Sequence, residues 1–101
     1  MNAAIAAARA YGLSITFADL GDWGLDELRS EYDAAQNEIR LNVRIAEQLS
    51  PDELGEFVSL AVGHELYHHR ERIGEIAVIA DRVEREHAAN DYARQLLRVA
   101  R

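Results

Sequence analysis

His64-Glu65-Leu66-Tyr67-His68 sets two imidazoles four residues apart, with a carboxylate beside the first. Residues on a helix advance by about 100°, so His64 and His68 project from one face with Cβ atoms about 5–6 Å apart. Imidazoles so placed can share one zinc ion. Glu65 stands beside them. A carboxylate there can take a proton from an attacking water, or hold that water in line with a carbonyl. The competing reading is a solvated helix that happens to carry two histidines.

The surrounding residues support a buried site. Leu54, Phe57, Leu60 and Ala61 fall on the side of His64 and His68, and Val58, Val62 and Leu66 widen the apolar arc. Only Glu56, Ser59, Gly63 and Arg70 mark a narrow polar side, as expected for a core helix. Histidines turned toward a core need a partner, because burying unpaired nitrogens costs free energy. A metal is one such partner and a carboxylate is another.

A third ligand is sought downstream. Residues 83–100 read as a second helix with an apolar face of Val83, Ala89, Ala93, Leu96, Leu97 and Ala100. Glu86 and Asn90 fall inside that face, whereas Glu84 points away. An ionised carboxylate on such a stripe is costly unless it meets a cation or a metal. This phase selects Glu86 as the third zinc ligand, with an arginine ion pair or exposure at the rim of the face as the alternative. Asn90 shares its face and can hydrogen-bond a ligand histidine and fix its tautomer. His87 is the competing ligand, one helical step away. His69, one step from His68, reads as a surface or supporting residue.

The elements that must position these groups follow from local signals. Residues 2–11 are helix formers ended by Gly12. Residues 13–17 alternate as a strand, 19–25 form a loop carrying Trp23, and Leu28–Tyr32 is a short strand. Trp23 reads as folded back onto the core rather than flanking a cleft. Turn residues at 33–37 lead into Ile39, Leu41, Val43 and Ile45, which alternate with Arg40, Asn42 and Arg44. The result is a hairpin within a three-stranded sheet, with the Ile39–Ile45 strand as the expected edge for an extended substrate. Ser50, Pro51 and Glu53 open the motif helix as N-cap, first residue and capping box, and Gly74 stops it. Residues 75–82 have helical spacing at Ile76, Ile79 and Ala80, so the next helix is expected to begin there.

The 101 residues suffice for one domain with one core, 1–101. No cysteine is present, so disulfides and thiolate-bound zinc are excluded. Residues 1–63 carry eleven acidic side chains against four arginines, while 64–101 balance seven against seven. That distribution lacks the basic face of a nucleic-acid binder. No stretch is long enough to span a membrane and none has the form of a secretory signal, so a cytoplasmic protein is expected.

The motifs together resemble the ImmA/IrrE family of zinc metallopeptidases. The likeness runs from about residue 30 to residue 97. It rests on Asn37-Glu38-Ile39-Arg40-Leu41-Asn42, on His64-Glu65-Leu66-Tyr67-His68, and on Glu86-x-x-Ala89-Asn90-x-Tyr92-Ala93-x-x-Leu96-Leu97. It implies an α+β, zincin-like fold: a small three-stranded sheet packed on the HExxH helix and a C-terminal helix. It implies zinc on His64, His68 and Glu86, Glu65 as general base, and a peptide or protein substrate. Characterised members cleave a helix-turn-helix repressor. Two positions depart from the family pattern: Tyr67 stands where glycine is usual, and Arg98-Val99 where Met-Pro is usual. A zinc-containing binding module without turnover, or a zinc hydrolase of a non-peptide amide, would use the same residues. Tyr67, Tyr92 or an arginine are the candidates for stabilising an oxyanion.

Overall fold

Alternation of apolar and polar residues makes Glu38–Asn42 (β3) the central strand. Ile39 and Leu41 are fully buried, and Arg40 turns to the opposite face. The computed structural model describes residues 2–21 and 29–99. Ser14–Ala18 (β1) runs parallel to β3, with Ile15 opposite Ile39 and Phe17 opposite Leu41. Ser30–Asp33 (β2) runs antiparallel to it, with Ser30 opposite Leu41 and Tyr32 opposite Ile39. The order β1-β3-β2 puts β3 in the interior, so the expected substrate edge at 39–45 is corrected: the edges are β1 and β2. On the outer face Arg40 binds Glu31, Asp33 and Glu38 together.

The strand also ends earlier than its alternation suggests. Asn42 is fully buried; its side-chain oxygen accepts from Arg44 N–H at 3.1 Å and its amide donates to the Gly21 carbonyl at 3.2 Å. That side chain caps the short helix Val43–Ala46 (α2) and turns Val43 and Ile45 out of the sheet.

Ala3–Ala10 (α1) is capped by Asn2 and leaves through Gly12 at φ +81°. Pro51–Arg72 (α3) starts as its sequence dictates, with Ser50 and Glu53 bonded reciprocally, and stops before Gly74 at φ +77°. Residues 75–81 are not helical, against expectation. The chain folds back there, Glu75 N–H reaching the Arg70 carbonyl, and helix Arg82–Val99 (α4) starts only where the Asp81 side chain caps Glu84 N–H. Trp23, Leu28 and Ala100 lie outside the described residues. No helix among the described residues is long and apolar enough to cross a membrane.

Helix α3 packs on the sheet through Val62 and Leu66, which join Ile39, Leu41, Ala4 and Ala8 in one core. The side expected to be polar is exposed only at Glu56, and Arg70 is half-buried. Ser59 and Gly63 are buried, and Gly63 is where α4 crosses. Val83, assigned to the apolar face of α4, is 64% exposed, because that face begins in earnest only at Ala89 and Ala93.

A Cβ on Gly63 would lie 2.8 Å from Ala93 Cα and 2.9 Å from its Cβ. Both are backbone-anchored atoms, so the helices would have to separate. Replacing helical glycine by alanine gains about 1 kcal/mol in propensity, whereas overpacking typically costs about 1–3 kcal/mol. Gly63→Ala is therefore expected to lower the denaturant midpoint. A midpoint equal to wild type or higher would show that the contact is not tight.

Candidate metal centre

Three elements bring the chemistry-bearing side chains together. Helix α3 supplies His64, Glu65 and His68, α4 supplies Glu86 and Asn90, and β2 supplies Ser30. The two Nε2 atoms of His64 and His68 stand 3.2 Å apart. One Glu86 carboxylate oxygen lies 2.9 Å from His64 Nε2 and the other 3.7 Å from His68 Nε2. Glu86 sits at the rim of its helix face, its side chain 43% exposed, yet still turns onto the histidines. Glu84 and His87 are exposed on other sides of α4.

The opposite ring nitrogens are already engaged. His64 Nδ1 lies 2.7 Å from the Asn90 amide oxygen, as the shared face with Glu86 suggested. His68 Nδ1 lies 2.7 Å from a Glu71 carboxylate oxygen. Both partners are acceptors, so they suit the tautomer with the proton on Nδ1, the form in which Nε2 offers a lone pair to a metal. The two Nε2 atoms and the Glu86 carboxylate thus converge. A proton would satisfy one of these contacts; a divalent cation satisfies all three. In a tetrahedral zinc site with 2.0–2.1 Å bonds, neighbouring donors are about 3.3 Å apart. The two nitrogens, 3.2 Å apart, match that value, while the 2.9 and 3.7 Å spacings are made by different oxygens of Glu86, so one oxygen serving both histidines requires a turn of that carboxylate. These donor types suit a divalent cation.

Glu65 is the other carboxylate at hand, since His64, Glu65 and His68 have donor atoms within 4.8 Å of one another. Its environment differs from that of Glu86. Glu65 is buried, and its Oε2 accepts a 2.6 Å hydrogen bond from the Ser30 hydroxyl. One oxygen is thus held by β2 and the other is left for chemistry, which suits a base beside a metal better than a ligand on it.

A cleft of about 740 Å³ opens at this point. Ser30, His64, Glu65 and Asn90 line one end, and Phe57 and Leu60 give the rest an apolar wall. Beside it, Asn42 N–H donates to the Arg29 carbonyl at 2.9 Å. Hydrogen-bonded pairs alternate along an antiparallel ladder, so the backbone groups of Arg29, Glu31 and Asp33 face β3, and those of Ser30 and Tyr32 face outward. Edge β2 borders the cleft.

His69 is not a surface residue. It is buried, its ring edge-on to Tyr11 and Tyr32, with Nδ1 2.6 Å from the Tyr32 hydroxyl. Burial, and then the nearby Arg72 charge, hold its pKa below the usual histidine value. The core-facing arc of α3 therefore centres on Val62, Leu66 and His69, and His64 and His68 lie at its half-buried edge. Tyr67 packs against Tyr92, whose ring lies under Arg70, and neither tyrosine lines the cleft.

Ser30, Glu71 and Arg85 were not anticipated. Glu71 was within reach of sequence reasoning, being three residues past His68 on the same face. Nothing local marks Ser30. No protein-family model, curated protein or solved structure matches this chain.

Proposed function

We propose that this chain is a zinc-dependent metallopeptidase of the ImmA/IrrE type, with a zincin-like fold and the metal held by His64, His68 and Glu86. The observation that carries the reading is the convergence of their donor atoms, each histidine contacted from behind by an acceptor. Zinc bound there would act as a Lewis acid, making a water acidic and polarising a carbonyl.

The chain's own residues do the rest. Glu65 takes the proton of the attacking water on one carboxylate oxygen and returns it to the leaving amine. Ser30 holds the other oxygen, so the carboxylate does not rotate away. The outward backbone groups of Ser30 and Tyr32 can pair with an extended peptide and lay its carbonyl across the site. The family resemblance extends this reading to a helix-turn-helix repressor as the protein cleaved.

Purified protein is expected to hold about one zinc per chain with His nitrogens at 2.0–2.1 Å, and to cut peptides only while loaded. Elemental analysis and X-ray absorption read the first, a chelator titration of cleavage the second. Stoichiometric zinc in a His64→Ala/His68→Ala double variant would rule the site out.

A further inference from the structure

Glu71 occupies a costly position. Its side chain is only 2% exposed, and it sits in the last turn of α3, where the helix dipole disfavours an anion. Arg85 reaches across from α4 as a fork: Nε lies 3.1 and 2.9 Å from the two oxygens, and a terminal nitrogen 2.9 Å from Oε1. The same Oε1 is the atom 2.7 Å from His68 Nδ1. Two ligand histidines on one helix are thus backed differently, His64 by a neutral amide and His68 by an anion. Arg85 also precedes Glu86, so one turn of α4 brings both a candidate ligand and the counter-charge.

We propose that Glu71 and Arg85 form a positioning pair that sets the orientation and donor strength of His68 and thereby the metal affinity of the site. The inference rests on the zinc reading above. A carboxylate behind an imidazole pulls on the Nδ1 proton and makes Nε2 a stronger donor, and the Arg85 fork holds that carboxylate aimed at His68. It also ties His68 to the docking of α4, because Arg85 comes from that helix.

The test is zinc affinity by competition with a chromogenic chelator, alongside the visible spectrum of the cobalt-substituted protein. Glu71→Gln keeps an acceptor for Nδ1–H but loses the charge, and is expected to weaken zinc binding about 10–100-fold and to shift the cobalt bands. Because Glu71→Gln alone strands Arg85, the neutral pair Glu71→Gln/Arg85→Gln serves as the second variant. It is expected to show the same loss with the metal-free fold retained by circular dichroism. A pair serving stability alone would lower the melting temperature of the metal-free protein and leave the affinity and cobalt spectrum of the folded fraction unchanged. That outcome in the double variant overturns the proposal while the zinc site stands. A wild-type chain that takes up no zinc overturns both.

Discussion

Glu65→Gln is expected to abolish peptide hydrolysis while the protein keeps its zinc and its fold. The substitution is nearly isosteric, and the Ser30 hydroxyl can still donate to the remaining amide oxygen, so the 2.6 Å contact to β2 has a counterpart in the variant. What disappears is the oxygen that accepts the proton. General-base catalysis is worth about 10²–10⁴-fold, and the loss should fall on kcat rather than KM, because the lost interaction is made mainly in the transition state. Steady-state kinetics on a peptide substrate, with zinc content measured on the same sample, checks it. Wild-type turnover in the variant would sink the general-base assignment. Zinc-loaded wild type that binds its partner without cleaving it would move the reading to a regulatory module.

The second large effect is expected at Glu86. Glu86→Ala removes one of three converging donors and leaves only the two histidine nitrogens, 3.2 Å apart. The affinity loss should exceed the about 10–100-fold typical of a supporting residue behind a ligand. Glu84→Ala and His87→Ala are the controls, both residues being exposed on other sides of α4. Isothermal titration with zinc separates the cases. An equal loss at Glu84, or a larger one at His87, would show that α4 presents a different side to the motif helix.

Much of this arrangement is legible in the sequence, and the reasons are local. Ser50, Pro51, Glu53 and Gly74 delimit α3 because capping and left-handed backbone conformations act over a few residues. Counting at 100° per residue separates Glu86 and Asn90 from Glu84. What escaped was settled by tertiary contacts. Val43 and Ile45 continue the alternation of β3 on paper, but the buried Asn42 side chain competes for the backbone and starts α2 instead. Periodicity could not say that His69, rather than His64, faces the sheet, since the apolar arc of α3 is too wide to fix its centre. The helical spacing at 75–82 was overruled by the fold-back after Gly74. Ser30 meets Glu65 across 35 positions of sequence, with no motif to announce it.

That separation divides the site into two units of heredity. Every donor and every group that backs a donor lies between His64 and Asn90, on a single helix-turn-helix segment closed by the Gly63–Ala93 contact. The hydroxyl that steadies the base comes from β2, in the other half of the molecule. On the proposed reading, changes in the sheet would retune proton handling and peptide preference while the segment that carries the donors passes unaltered. His64, His68, Glu71, Arg85, Glu86 and Asn90 would have no such latitude, because each would answer to the same ion, whereas the exposed Glu84 and His87 would not.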